Sequence, residues 1–464
     1  MQLSNEEEDY NLSLSKFESM LKTNKVLFFD SEEFEEIILH YLDIGKANLA
    51  KKALKLALDQ HPKSTGLKLV QVEMLVYDDK LDIAEKLLNE LYAIEPNNEE
   101  IYIQKANICS KRDQHEKAVE LLKIALQYTD DYADVYNLIG MEYLFMDNLE
   151  LAKDSFIKCL EEDLEDQSAL YNVVYCFEFL DQNQEAIVYL NEYINRNPYS
   201  EIAWHQLGRL HYGVKEYENA IRAFDYATLI DDEFLGAFME KAKAYERLKK
   251  YNEAIESYNR TIELDDATSY ALLRIGKCYE KLGNLAKAIQ YYNQTVHEDP
   301  LLDKGWIAIT DFHLRQKNYQ KALFFVNKAL AIDNQNRLYW KRYATINKQM
   351  NFFEEAEFGF RKAVEFGDYA LDTWLYWVDI LQFLGELETA IQTLLQATEY
   401  FPEENEIEYR LAGLYFMIQD NTKAKFHLSN GLRLNFDNYI LIEDLFPVVW
   451  TKKTVKNYIE KHRK

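Results

Sequence analysis

The side chains best suited to acid–base, nucleophilic or metal chemistry are scattered through this sequence of 464 residues. Of the nine histidines, His205 and His211 lie closest together, but a spacing of six places them on different faces of a helix. The chain has four cysteines and no CxxC pair: Cys109, Cys159, Cys176 and Cys278. We expect these cysteines to be small buried residues in a reducing compartment rather than disulfide partners or metal ligands.

Short motifs with a known chemical mechanism are also missing from the sequence. It contains no phosphate-binding GxxxxGKS or GxxxxGKT loop, no GxGxxG, no HExxH and no GxSxG. Because no group of residues has the types and spacing of a catalytic site, the sequence predicts a protein that is not an enzyme. It predicts no cofactor and no bound metal.

The composition limits the class of protein further. Lysine and arginine total 53 against 79 aspartates and glutamates, which gives a formal charge of −26. This balance disfavours a nucleic-acid partner, because nucleic-acid binding needs positive surface that releases counterions. The first residues show no secretory signal. The sequence contains no run of about 18 apolar residues, so no membrane span is predicted. We therefore expect a cytoplasmic protein with no membrane partner.

A period of 34 residues organises most of the chain. Five of the six prolines are separated by multiples of 34 residues: Pro62, Pro96, Pro198, Pro300 and Pro402. Steps of 34 from Ala50 reach alanine every time, at Ala84, Ala118, Ala152, Ala186, Ala220, Ala254, Ala288, Ala322, Ala356, Ala390 and Ala424. A fixed period of this length indicates tandem structural repeats, and here it defines twelve of them without insertion or deletion.

Within each period the residue types resemble the tetratricopeptide repeat. Unit 201–234 carries the pattern best, with Trp204, Gly208, Tyr217, Ala220 and Phe224 in the expected places. The resemblance implies two antiparallel helices per unit and an all-α fold, a right-handed superhelical α-solenoid of tandem helix-turn-helix repeats. The pentatricopeptide repeat is a weaker match, because its period is 35 and its members are usually basic.

The period also divides the chain into three predicted regions. Residues 31–438 form the twelve repeats. Residues 1–30 are predicted to hold an acidic segment, Glu6 to Asp9, and a capping helix. Residues 439–464 are predicted to form a C-terminal capping helix with a basic tail.

The resemblance also predicts which positions line a binding groove, since the first helix of each repeat faces inward in this family. The inward positions of repeats 1 to 5 carry Lys111 as their one base and eight acids, which are Glu32, Glu35, Glu36, Asp43, Glu73, Glu100, Asp134 and Glu178. In repeats 6 to 10 eleven bases outnumber four acids. The bases are Arg209, Lys243, Arg247, Arg274, Lys277, Lys281, Lys304, Arg315, Lys341, Arg342 and Lys348. Three tyrosines complete the predicted partner-binding groove: Tyr171, Tyr175 and Tyr212.

These patterns predict a non-catalytic scaffold or adaptor that binds acidic protein or peptide segments in the groove. The basic residues could instead form exposed ion pairs of little energetic value. Two other functions stay open: a self-assembling structural subunit, in which the chain forms a homo-oligomer, and a solenoid that binds single-stranded RNA. The sequence also leaves open whether the basic stretch or the aromatic N-terminal half is the main binding surface.

Overall fold

The computed structural model describes residues 13–22, 27–264 and 268–462. The described residues are helices joined by short turns, and no strand occurs among them. The predicted all-α class and the tandem helix pairs are confirmed. The chain divides into two compact units, Met1–Asp232 and Glu233–Lys464, which are called here the first and the second unit.

The first unit begins with helical residues 13–22 (α1) and continues with six helix pairs. The first helices of these pairs are α2 (Ser31–Asp43), α4 (Thr65–Tyr77), α6 (Glu99–Lys111), α8 (Tyr132–Phe145), α10 (Gln167–Phe179) and α12 (Glu201–Gly213). The second helices are α3 (Ala47–Gln60), α5 (Leu81–Ile94), α7 (His115–Ala125), α9 (Leu149–Glu162), α11 (Asn183–Arg196) and α13 (Tyr217–Ile230).

The second unit contains six more pairs. Their first helices are α14 (Leu235–Arg247), α16 (Ser269–Lys281), α18 (Asp303–Arg315), α20 (Arg337–Gln349), α22 (Leu371–Leu384) and α24 (Asn405–Met417). The second helices are α15 (Tyr251–Leu264), α17 (Leu285–Glu298), α19 (Tyr319–Ile332), α21 (Phe353–Glu365), α23 (Leu387–Tyr400) and α25 (Asn421–Leu434). The second helices begin every 34 residues, as the sequence period predicts, and the other helix ends depart from it by at most three residues.

Small residues bring the two helices of a pair together. All twelve alanines of the 34-residue series lie in second helices, and each has a relative exposure of 0 %. Glycine serves the same purpose in some first helices, because a Cβ atom on Gly208 would lie only 2.5 Å from the ring of Phe224. The aromatic side chain thus fills the space that the glycine leaves empty.

The turn between the paired helices needs a residue in the left-handed region. Every repeat has one at its fifteenth position, and only three of the twelve are glycines: Gly45, Gly283 and Gly385. Lys249 has φ 59° there, and the amide of the next residue, Lys250, donates to the carbonyl of Tyr245 at 2.9 Å. This bond closes the helix end in the Schellman pattern.

The described parts of both terminal regions are also helical. Phe17 of α1 is fully buried against Phe34 and Tyr41 of the first repeat and against Phe29, which precedes it. The predicted acidic segment from Glu6 to Asp9 lies outside the described residues.

The C-terminal segment after α25 is a series of short helices rather than one capping helix. It comprises a 3-10 helix (Phe436–Tyr439), α26 (Ile440–Leu445), α27 (Pro447–Trp450) and α28 (Lys453–Lys461). Pro447 interrupts the helix as expected, because it occupies the first position of α27, after α26 has ended.

Replacing Lys249 by glycine should stabilise the second unit. A left-handed conformation costs an L-residue about 1–2 kcal/mol, and the flexibility of glycine in the unfolded chain cancels about half of the gain. We therefore expect Lys249→Gly to raise the free energy of unfolding by about 0.5 kcal/mol, measured by urea denaturation. The control is Glu256→Gly on the exposed side of α15, which should lower stability by about 1 kcal/mol. A loss of stability in Lys249→Gly would contradict the strain at this turn.

Candidate functional site

The predicted basic groove residues divide between the two units. Arg209 and the three tyrosines, Tyr171, Tyr175 and Tyr212, belong to the first unit, on α10 and α12. The other ten bases lie on α14, α16, α18 and α20 of the second unit.

Three arginines of the second unit tie consecutive first helices together. Arg274 of α16 donates through Nε and one terminal nitrogen to Glu246 of α14, at 2.8 and 2.5 Å. In the same way, Arg342 of α20 binds both carboxylate oxygens of Asp311 in α18, at 2.7 and 3.0 Å. Arg315 of α18 pairs with Glu280 of α16. These charges are therefore neutralised within the chain and hold neighbouring repeats in register.

Tyrosines from the second helices complete two of these pairs. The hydroxyl of Tyr258 donates to Glu246 Oε1 at 2.7 Å, and the hydroxyl of Tyr292 donates to Glu280 Oε2 at 2.9 Å. Each glutamate thus accepts from both an arginine and a tyrosine, which fixes its position. Hydrogen bonding to Asp311 raises the pKa of Arg342, so this arginine stays charged in its half-buried position.

Lys277 of α16 lies among these pairs without a carboxylate of its own. Among the described residues it has no ion pair and no hydrogen-bond partner for its ammonium group. Burial lowers the pKa of Lys277, and the charges of Arg274 and Lys304 lower it further. Glu246 and Asp311 act in the opposite direction, but both are already bound by arginines. Lys277 is therefore a partly desolvated cation without its own counterion.

The repeat register explains why Lys277 has no partner. Asp311 and Asp379 occupy the ninth position of their repeats and receive an arginine from the sixth position of the next one, Arg342 or Arg410. Lys277 also occupies a ninth position, but the sixth position of the following repeat is the buried Ala308.

The remaining bases of the second unit have varied surroundings. Lys341 pairs with both carboxylate oxygens of Asp372 at 2.9 Å, and Lys243 lies 3.9 Å from Glu240. The Lys348 ammonium is 4.6 Å from the centre of the Tyr376 ring. The other members of the predicted set are exposed side chains: Arg247, Lys281 and Lys304.

In the first unit, Arg209 of α12 lies 3.7 Å from Glu178 of α10 and donates to Gln206. Tyr171 and Tyr175 are exposed on α10, where Tyr175 packs against Phe179 with ring centroids 4.4 Å apart. These residues form a mixed polar and aromatic surface within the first unit.

The first helices of this unit also carry carboxylates that repel one another. The loss of water contact raises the pKa of Glu73, and the charge of Asp43 raises it further. Burial likewise raises the pKa of Glu100, and repulsion from the charges of Glu73 and Asp134 raises it further. The folded protein thus pays a cost to keep these groups ionised at neutral pH.

The described residues offer little for catalysis. They contain no cluster of three or more histidine, cysteine or acidic side chains arranged to hold a metal ion. Burial lowers the pKa of His205 to about 4, and burial raises the pKa of Cys159 and of Cys278 to about 12. At neutral pH this histidine is uncharged and these thiols are protonated, so none is poised for acid–base or nucleophilic chemistry.

Comparison with known proteins identifies the repeat. Three family models, each described as a tetratricopeptide repeat, match residues 75–141, 133–166, 205–268 and 239–302. The matched ranges lie within the tandem helix pairs described above. The two matched stretches, residues 75–166 and 205–302, are tetratricopeptide repeats. A chain built from this repeat is a scaffold for protein–protein interaction, and its stacked helix pairs offer an extended binding surface.

Individual relatives are distant. Anaphase-promoting complex subunit 3 of Schizosaccharomyces pombe is 24% identical over 157 residues, which are 34% of this chain and 24% of that protein. The match therefore spans about a quarter of the relative. A tetratricopeptide repeat protein from Parabacteroides merdae is 14% identical and covers 53% of this chain and 97% of its own, with a TM-score of 0.40.

A further similar structure is the APC/C hetero-tetramer Cut9-Hcn1. It is 12% identical and covers 100% of this chain and 95% of its own, with a TM-score of 0.35. In the part of this chain that the structure describes, no helix is long and apolar enough to cross a bilayer.

Sequence reasoning missed the arginine–carboxylate pairs that link neighbouring first helices. The signal was present, since Arg342 follows Asp311 by 31 residues and Arg410 follows Asp379 by the same interval. A count of charges treats these groups as free, whereas the structure joins them.

Removing the repelling carboxylates should stabilise the first unit at neutral pH. Because the folded-state pKa values of Glu73 and Glu100 are raised, ionisation opposes folding above those values and is harmless below the ordinary value of 4.5. We expect Glu73→Gln combined with Glu100→Gln to add about 0.5 kcal/mol to the unfolding free energy at pH 7. The gain should disappear as the pH falls to about 4, which thermal melting across this range would measure. A gain that persists at acid pH would contradict the electrostatic cause.

Proposed function

We propose that the chain is a non-catalytic scaffold whose second unit binds an acidic segment of a partner protein across its first helices. The observation that carries this proposal is Lys277, a partly desolvated cation with no carboxylate partner among the described residues. A carboxylate from a partner would restore the interaction that this ammonium lacks. Hydrogen bonds to charged groups contribute about 1.5–3 kcal/mol, so one such contact would be significant for affinity.

The neighbouring charges support an extended acidic ligand. Lys304 acts on Lys277 electrostatically and is itself exposed, and Lys281 lies one helical turn beyond Lys277 on α16. The paired arginines stiffen the same helices, so these lysines are presented on a fixed frame. A segment with several acidic residues could therefore contact several of them at once.

The overall charge of the chain does not oppose this binding. At physiological ionic strength the Debye length is about 8 Å, so acidic groups elsewhere in the protein are largely screened from a ligand at Lys277. The relative named as a subunit of the anaphase-promoting complex also supports a role in assembling proteins. A cytoplasmic location remains part of the proposal.

Charge reversal at Lys277 tests the site. The probe is a short fluorescent peptide of alternating glutamate and serine, measured by anisotropy at about 150 mM salt. Lys277→Glu should weaken its binding at least about tenfold, because one charge-assisted contact becomes a repulsion. Binding should also weaken as the pH rises, at pH values still below the ordinary pKa of lysine. The lowered pKa of Lys277 lets it lose its proton there.

A matched control separates the site from general electrostatics. Lys425→Glu changes the same charge on an exposed position of α25, a second helix of the same unit. It should leave the affinity for the acidic peptide unchanged. If both variants weaken binding equally, Lys277 is not the contact and the proposal fails.

A further inference from the structure

The first unit contains a cavity that the basic residues of the second unit do not involve. It has a volume of about 420 Å³ and is bordered by residues of α2, α3, α4 and α6. Apolar side chains such as Leu42, Met74 and Val76 form part of its wall. The exposed ring of Tyr77 and the carboxylate-bearing Glu73 also line it. A pocket of this volume, mostly apolar with a few polar groups, is typical of a ligand-binding site.

Gln104, a residue of the cavity wall, carries a buried hydrogen-bond acceptor without a partner. The residue lines the cavity and is only 5 % exposed. Its Nε2 donates to Glu100 Oε1 at 2.8 Å, but its buried Oε1 has no hydrogen-bond partner in the described structure. A buried acceptor without a donor is unfavourable, and an N–H group from a ligand that reached it would remove that cost.

The carboxylates around Gln104 favour a cationic donor. Glu73 and Glu100 repel each other, and Asp43 and Asp134 add to the repulsion. A positive group placed between them would relieve this repulsion and allow both to stay ionised.

Two lysines also line the cavity, and their charges must be considered. Lys51 is already paired, because its ammonium contacts both carboxylate oxygens of Asp78 at 2.7 Å. Lys111 is exposed, so its ammonium can remain in water. The carboxylate of Glu73 borders the cavity, and no ion pair with it or with Glu100 is found among the described residues. Glu100 is joined to the cavity wall by the hydrogen bond from Gln104.

We propose that this cavity is a docking site for a basic segment of a partner protein, with an arginine side chain inserted into it. A guanidinium carries five N–H donors, enough to reach two carboxylates and the Gln104 amide oxygen together. Its alkyl stem would lie against Met74 and Val76, and its planar head could stack on Tyr77. Lysine offers three donors from a single point, so it satisfies this arrangement less well. The site is separate from the acidic-segment site at Lys277 and takes the opposite charge.

The test uses peptides of stated composition and the full chain. A fluorescent peptide of alternating arginine and serine should bind, and the same peptide with lysine should bind several-fold more weakly. Glu73→Gln combined with Glu100→Gln should weaken the arginine peptide at least about tenfold at about 150 mM salt. The matched control is Glu116→Gln combined with Glu120→Gln, which removes equal charge from exposed positions of α7 and should leave the affinity unchanged.

Two further variants locate the contact within the cavity. Gln104→Met keeps the side-chain volume and removes the acceptor, so it should lower the affinity for the arginine peptide more than for the lysine peptide. Tyr77→Ser changes a side chain that is 77 % exposed, so folding should be retained while the arginine peptide binds less tightly. Circular dichroism and thermal melting confirm that each variant is folded.

Three outcomes would overturn the proposal. Equal losses in the two glutamate double variants would show general attraction to an acidic protein. Unchanged binding in folded Gln104→Met and Tyr77→Ser would place the peptide elsewhere. Sedimentation of the chain without peptide would show whether it self-associates. If it does, and if Glu73→Gln combined with Glu100→Gln abolishes the association, the cavity is occupied by a second copy of the chain. Lys277→Glu should not alter the binding of the arginine peptide. The test of the cavity is therefore independent of the test of the acidic-segment site.

Discussion

The close approach of two helices within each repeat is the constraint on which the rest of this structure depends. A single small residue in each second helix permits it, and in all twelve repeats that residue is a fully buried alanine. A larger side chain there would separate the pair and force the neighbouring aromatic residues out of their rotamers, at a typical cost of 1–3 kcal/mol. Because the spacing never varies, each pair presents its first helix at the same position in the repeat.

That regularity allows ion pairs to form between the first helices of neighbouring repeats. A residue at the sixth position of one first helix lies within reach of the ninth position of the preceding one, as Arg342 and Asp311 show. Where the two charges are complementary, they link neighbouring repeats, and the bidentate geometry restricts how the helices can slide. Where the second member is absent, as at Lys277, a charge remains without an ion-pair partner among the described residues. The same register therefore determines both the internal pairs and the vacant positions.

The sequence predicted the fold well because its evidence is local and repeated. Alanine and proline spacing indicates helix boundaries directly, and twelve copies remove most of the ambiguity that a single helix pair would leave. The candidate site was harder, because charge balance depends on contacts between residues about 30 positions apart. The eleven bases counted in the sequence include Arg274, Arg315 and Arg342, which bind carboxylates of the chain itself. The cavity near Gln104 has no sequence signal, since it arises from space left among four helices.

The two units differ in the sign of the partly buried charge that lacks an ion-pair partner among the described residues. In the second unit, Arg274, Arg315 and Arg342 neutralise carboxylates on the first helices, and the positive Lys277 is left without an ion pair among the described residues. In the first unit, Glu73 and Glu100 have no arginine opposite them, and the charge that remains is negative. An unpaired, partly desolvated charge lowers the stability of the free protein and is recovered only when a ligand of opposite sign binds. Each proposed site would therefore discriminate between ligands by sign, because a ligand of the wrong sign would add to the repulsion already present.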